Sequence, residues 1–459
     1  MATCQLLVNK LKSVPSELIL ITLIALLIRL LLVPYFSTIH DPYFWARGMI
    51  FFNNGYDPYT LHISVYPPFI YLFYSPLFRF VSWVGFYFQY FTFVPELGAS
   101  IVTPGFLFIW KMPLLVFDFF TAFIIYALIK HRSGGGLAIL AFTVWLLNPL
   151  NLSITYMHGA WDLVVGFLIL LGIFTLYKKD YFVAGLCFGL GAIVKLAPVY
   201  LVLPFLLILV LQGTKNQPIF FLIKQNLMAI LKFIAGLLLT FLLFIPLILS
   251  YIELSSFLPF NSTGDFIWNN LNQWFFASHP IGFQWINSHV GIIQKLPMLY
   301  LLVSAIVVVL FYKLNLLVNL TMRKFLSFGV FFGILSLMLY PSIIQSQYLL
   351  WYLPLFVCLV FMDRCFKWPF VLLSIAGVLY YFASQGPVTP FGPFAVYSGI
   401  FSIPQYLAGQ NWFYNLPVFI TGISFQKDLL FLSGLASFIA LLISLYLCLK
   451  YFKVERKNA

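Results

Sequence analysis

Apolar runs long enough to cross a bilayer recur from one end of this 459-residue chain to the other, and only 8% of its residues are charged. A hydrocarbon core about 30 Å thick takes about 20 apolar residues of helix to cross. Inside it every backbone N–H and C=O must find its partner within the protein, so only helices and closed barrels serve. The dyad alternation of barrel strands is absent from the sequence, which leaves helices. The expectation is an all-α polytopic membrane protein, a single integral membrane domain over residues 1–459. A soluble globule is excluded.

The net charge of +13 does not indicate a nucleic-acid partner. Lys and Arg stand in short groups at the ends of apolar runs, where the positive-inside rule puts cytoplasmic charge. The five cysteines have no metal-ligand spacing, so neither a zinc site nor a disulfide framework is expected. The first run, residues 18–35, is too long for the apolar core of a signal peptide, and no small-residue cleavage site follows it.

Lys10 and Lys12 place the amino terminus inside, so the first run travels outward. Residues 106–129 must return inward, because "KHR" follows. The aromatic stretch 66–93 between them is broken by Pro67, Pro68, Pro76 and Arg79. It reads as helices lying in the outer interface or as a shallow hairpin. The remaining runs alternate to give about twelve transmembrane helices with both termini cytoplasmic, at about 20 residues per span. External loops cover residues 37–105, 251–297 and 385–428. The membrane expected is the plasma membrane of an archaeon or bacterium, or the ER membrane. Two predicted spans, 136–149 and 181–194, are shorter than the roughly 17 residues a crossing requires. Short helices of this kind leave a cavity in the outer leaflet, lined by polar residues at their ends.

The first loop begins "HDPYFWARGMIFFNNGYDPYTLHISVYPPF", with Asp-Pro-Tyr twice in a chain that has only 12 acidic residues. Asp41 before Pro42 is a helix start, with Gly55 its predicted end, and Asp57-Pro58 opens a second turn. A carboxylate fixed at a helix start just outside a span also suits a catalytic base. Further polar residues sit at membrane depth: Lys111 and Asp118 in "WKMPLLVFD", His158 and Asp162 in "HGAWD", Lys195 in "GAIVKLAP". Each ionisable group there costs about 3 kcal/mol and needs a partner or a task. Asp118 and Asp162 read either as structural ion pairs or as substrate contacts. Lys195 reads as an anion site or as a side chain snorkelling to the interface. His279 and His289 lie in the second loop and carry little specificity singly. Gln347, Tyr348 and Trp351 in "SQYLLWYLP" read as an aromatic belt or as a substrate wall.

The acid directly after span one ("TIHDPYFWARG"), the "GYDPY…YPPF" segment, the short spans "NP…HGAWD" and "VKLAPVYLVLP", and the late "QYLLWYLPL" helix together resemble the membrane-integral glycosyltransferases of the GT-C fold. The resemblance covers roughly the first 210 residues and the Gln347 region. It implies an inverting transfer of a hexose, mannose or glucose, from a polyprenyl-phosphate carrier to a lipid-linked glycan or other glycoconjugate on the lumenal or extracellular side. The partners implied are that lipid-linked donor, that acceptor and membrane lipids. By the same resemblance Asp41 is the catalytic base. Lys195 is the first choice for the donor phosphate, with Arg47, Arg79 and His289 in reserve. Substrate contacts fall to His40, Asp57, Tyr66, Lys111, Asp118, His158, Asp162, Gln347, Tyr348 and Trp351. Many members carry two acids one residue apart in the first loop. Here Tyr43 stands where the second would be, so neither a metal nor a cofactor is expected. The rival reading is a transporter or flippase of a lipid-linked sugar or anionic lipid. It explains the buried charges equally well but leaves the large first loop and the lack of repeat symmetry between halves unexplained.

Overall fold

The computed structural model describes residues 15–38, 40–56, 69–85, 89–195, 198–213, 217–253, 296–339, 346–385, 389–400, 402–418 and 424–458. Asp57, Tyr66, His279 and His289 lie outside them. Helix α1 (Ser16–Leu32) is followed by the first-loop helices α2 (His40–Asn53) and α3 (Phe69–Trp83). An antiparallel hairpin of β1 (Phe91–Val94) and β2 (Ala99–Val102) then pairs Phe91 with Val102. The all-α expectation did not include this hairpin; its strands flank a left-handed Gly98, the residue type that takes such a turn without strain.

The bundle continues through α4 (Pro104–Ser133), α5 (Gly135–Leu146), α6 (Asp162–Tyr177), α7 (Tyr181–Val194), α8 (Val199–Leu211), α9 (Ile219–Glu253), α10 (Leu296–Lys313) and α11 (Met322–Met338). A 3-10 segment, Ser346–Trp351, leads into α12 (Leu353–Met362) and α13 (Lys367–Gln385). Two short helices, α14 (Gly392–Tyr397) and α15 (Ile403–Tyr414), fill the third predicted loop before α16 (Phe425–Asn458) closes the chain.

Each of the predicted apolar stretches holds a helix over most of its described residues. Among the described residues five helices are long and apolar enough to cross a membrane by themselves, and five more apolar helices run 10–17 residues. The bundle is inverted relative to a soluble one. On α1, Leu20, Leu23, Leu27 and Leu31 face outward while Ala25 and Arg29 are buried. An outward apolar face on this scale marks contact with lipid.

Two features near the site differ from the sequence expectation. The span predicted over 136–149 does not stop at Pro149. Asn148 caps a new turn there, its Oδ1 accepting from the N–H groups of Leu150 and Asn151 at 2.9 and 3.2 Å. The chain then runs on as a π-helical segment, Leu152–His158, so the whole apolar element spans Gly135–His158, 24 residues. His158 is therefore the tip of this span. The other feature is the close packing of α7 on α9. A Cβ on Gly185 would sit 2.0 Å from the Phe233 carbonyl oxygen, and one on Gly236 would sit 2.1 Å from that of Phe182. Glycine lets the two backbones touch, the usual device of membrane helix pairs. That contact fixes the helix whose end carries Lys195.

Candidate active site

The site is organised by "HGAWD", the turn from the π-helical tip into α6. His158 Nε2 lies 2.8 Å from Asp41 Oδ2 at the start of α2. Since a carboxylate accepts, the imidazole donates from Nε2. Four residues further on, Asp162 opens α6 and takes Lys195 Nζ on both oxygens at 2.8 Å. One short turn thus holds both the first-loop acid and the candidate phosphate cation. Gly159 makes the turn possible: its φ is +92°, and an added Cβ would lie 3.0 Å from Lys111 Cε.

The two pairs differ in exposure. Asp41 keeps 29% of its side chain open while His158 is buried. Asp162 is fully enclosed and Lys195 is 15% exposed. Asp162 Oδ1 also accepts from the Trp351 indole N–H at 2.6 Å. The Lys195 ammonium lies over the rings of Tyr348 and Trp351, 5.0 and 5.9 Å from their centroids. An ammonium carries three donors, and Asp162 engages it from one side only. Gln347 joins Trp45, Ile70, Ala160, Trp161, Asp162 and Lys195 around a narrow cleft about the size of one water molecule.

An aromatic column sets Asp41. Trp45, one turn along α2 and so on the same face, stacks on Trp110 at 4.8 Å, and Trp110 stacks on Tyr74 at 4.2 Å. The Trp110 indole donates to the Gly159 carbonyl at 2.9 Å, and Trp45 also meets the His158 ring at 5.8 Å. Stacked pairs of this kind add about 1 kcal/mol each beyond their burial. On the other side of His158 lies Tyr381 of α13, ring centroids 5.8 Å apart. His158 Nδ1 and the Tyr381 hydroxyl are both buried without a hydrogen-bond partner among the described residues. Two orphaned polar atoms beside one imidazole make a place for a polar guest, because an unsatisfied buried group costs about 1–3 kcal/mol.

Other expected site residues are placed elsewhere. Asp118 is not brought to Asp41. It receives Arg29 Nε and Nη2, both at 2.7 Å, with the Trp145 indole, the Asn151 amide and the Tyr156 hydroxyl at 2.8–2.9 Å, and none of it is exposed. This closed network ties α1 to α4 and the π-helical tip, which explains Asp118 without a substrate. Lys111, also fully buried, donates to the carbonyls of Val33, Phe36 and Tyr156 and so pins the exit of α1 against that tip. Its three donors are used within the protein. Of the reserve cations, Arg47 is exposed over the Phe51 ring, and Arg79 reaches the Asn53 carbonyl at the end of α2. His40 begins α2. The sequence reading missed Arg29, Trp45 and Tyr381. Arg29 had a signal, since a guanidinium inside an apolar run demands an acid. Tyr381 had none, being one of 27 tyrosines.

No family model matches the chain. Over 121 residues it is 29% identical to GPI mannosyltransferase 1 of Saccharomyces cerevisiae. The aligned stretch covers 26% of this chain and 30% of that protein, well under two thirds of its length.

Proposed function

We propose that this chain is a membrane glycosyltransferase of mannosyl type, of the GT-C kind. It moves a hexose from a polyprenyl-phosphate carrier to a lipid-linked glycan or other glycoconjugate acceptor. The observation that carries the reading is the HGAWD turn, which holds a part-exposed acid through His158 and a part-exposed ammonium through Asp162. The partial similarity to a GPI mannosyltransferase supports mannose as the sugar. The Lys and Arg distribution supports reaction on the outer face.

In this mechanism the acceptor hydroxyl attacks the anomeric carbon from the face opposite the phosphate. Its proton passes to the Asp41 carboxylate as the new C–O bond forms. The bond from the anomeric carbon to the phosphate oxygen breaks, its electron pair leaves with the lipid phosphate, and the configuration inverts. Lys195 stabilises the negative charge gathering on that phosphate, the kind of interaction that counts most when it strengthens in the transition state. His158 does not touch the reacting atoms. It holds the carboxylate through Nε2 and keeps it aimed, while the Trp45–Trp110–Tyr74 column keeps α2 from turning. Tyr348 and Trp351 wall the cation. Asp41 acts without a divalent metal, so EDTA leaves the rate unchanged.

The test uses purified protein in proteoliposomes with polyprenyl-phosphate mannose, labelled in the sugar, and a glycolipid extract. Wild type forms a labelled glycolipid. Asp41→Asn lowers turnover by about 10²–10⁴-fold, the usual contribution of a general base, with donor binding retained. Lys195→Gln lowers both donor affinity and turnover. A near-full rate in Asp41→Asn would overturn the base assignment. Label crossing the bilayer on its carrier with no sugar transferred would replace the enzyme by a flippase.

A further inference from the structure

A large cavity lies away from Asp41. It is a basin of about 1330 Å³ at the opposite end of the bundle, lined by the last turn of α4, the α6–α7 turn, the start of α9 and the approach to α11. Three helices join it to the candidate site. Helix α4 carries Lys111 near one end and His131 at the other, about 30 Å away at 1.5 Å per residue. Helix α6 runs from Asp162 to Tyr177 and α7 from Tyr181 to Val194, about 23 and 20 Å on the same rise. If Asp41 faces outward, the basin opens on the cytoplasmic face.

Its chemistry is one-sided. His131, Arg132, Lys178 and Lys179 line it and, among the described residues, no carboxylate does. The two acids beside it are engaged elsewhere. Asp180 caps α7 by accepting from the Val183 N–H at 3.4 Å, and Asp363 pairs with Arg323. The lining cations are exposed, and Lys178 lies over the rings of Phe174 and Tyr177. The backbone is unusual here as well. Among the described residues the non-glycine positions with left-handed φ are Lys179 at 64°, Asn315 at 62° and Asn319 at 50°. Lys179 and Asn319 both line the basin. Lysine gains nothing from that conformation, which costs it about 1 kcal/mol or more, whereas asparagine tolerates it. Strain of this kind gathers where a side chain must be aimed. The positive-inside rule explains cations at this end of the bundle but not their convergence on one walled hollow without an acid.

We propose that this basin binds a phosphate-bearing anion, held by Arg132, Lys178 and Lys179. The planar fork of Arg132 suits two phosphate oxygens at once, and the two ammonium groups act as point charges. The anion is either the headgroup of an acidic phospholipid of that leaflet or a soluble phosphate compound.

Native mass spectrometry of the detergent-purified full chain, titrated with phosphatidylglycerol and with phosphatidylcholine, tests the proposal. A parallel titration with inorganic pyrophosphate is read by thermal shift. Wild type should retain phosphatidylglycerol in preference to phosphatidylcholine, or be stabilised by pyrophosphate. Arg132→Ala/Lys178→Ala/Lys179→Ala should weaken that binding by roughly tenfold, three partly solvated charge pairs acting together. Arg364→Ala/Lys367→Ala removes two cations at the same end but outside the basin and should leave binding unchanged. Retention of the lipid alone identifies a headgroup site, and a pyrophosphate response identifies a soluble ligand. Binding by the triple variant equal to wild type, an equal loss in the control pair, or no response to either probe would overturn the proposal. None of these outcomes bears on Asp41.

Discussion

Arg29→Met separates a structural from a substrate-binding role for Asp118. Arg29 Nε donates to Asp118 Oδ2 at 2.7 Å, Nη2 lies 2.7 Å from the same oxygen, and Nη1 and Nη2 donate to the carbonyls of Ala25 and Leu146 at 3.0 and 2.8 Å. Both partners are fully buried. A charge-assisted bond is worth about 1.5–3 kcal/mol. Breaking one side of a buried pair costs about 3–5 kcal/mol, the excess being the charge left buried without its counterpart. Three neutral donors would still hold Asp118 in the single variant, but its charge would have no counterpart. Removing that charge as well, in Arg29→Met/Asp118→Asn, should restore most of the stability, because the amide oxygen still accepts from Trp145, Asn151 and Tyr156.

The measurement is reversible unfolding of the purified protein in mixed micelles, for the two single variants and the double, alongside turnover per folded molecule. The structural role predicts a coupling energy of several kcal/mol and near-normal turnover in the double variant. If Asp118→Asn kept wild-type stability and lost donor binding, the closed network would be the wrong account and Asp118 would belong to the site.

Three further outcomes follow from particular contacts. Gly159→Ala should destabilise the protein by about 1–2 kcal/mol, because alanine at φ +92° is strained and its Cβ meets Lys111; turnover should fall further still, since His158 and Asp162 hang on the same turn, and unfolding with kinetics at one temperature checks both. Trp351→Phe leaves Asp162 Oδ1 without its indole donor in a closed site, which should cost about 1–3 kcal/mol and weaken donor binding as Lys195 shifts; a titration with the polyprenyl-phosphate sugar reads it. Partial burial raises the Asp363 carboxyl, but hydrogen bonds from Cys365 and the charge of Arg323 outweigh it and hold the group below its usual range. Its stabilisation is therefore complete above the unfolded carboxylate value near 4 and is lost as pH falls through the lower folded value. Melting scans from neutral to acid pH should show that acid-side loss in wild type and less of it in Asp363→Asn.

The helices were legible because a bilayer leaves a chain so little choice, and the apolar runs marked their positions closely. What the runs could not show was where a span stops making α-helix. The proline at 149 reads as an end, yet Asn148 caps a fresh turn and the backbone continues in a wider π-helical winding to His158. That continuation makes His158 the residue that reaches Asp41. The pairing of Asp162 with Lys195 was open to inference as one of two readings, since both lie at the mouths of short helices. The partner of Asp118 was not, because the sequence reading named no partner for it and passed over the lone guanidinium in the first run. Sequence distance favours neighbours, whereas burial favours whichever opposite charge the packing brings within 3 Å.

That comparison also explains why Asp41 stands apart. Four acids of the described structure meet a cationic or imidazole partner from another segment: Asp41, Asp118, Asp162 and Asp363. Three of these partners are Arg or Lys, which serve as clamps through N–H groups on a cationic head. Of the four, only Asp41 meets an imidazole. It is also the most exposed acid of the four. A carboxylate clamped by a permanent cation and enclosed has its acceptor positions spoken for, as Asp118 does. One held by an imidazole, part-exposed and set at a helix start, can receive a proton from a hydroxyl and pass it on. The choice of partner, more than the acid itself, divides the catalytic candidate from the structural ones, and His158→Lys should therefore abolish turnover while keeping Asp41 bound.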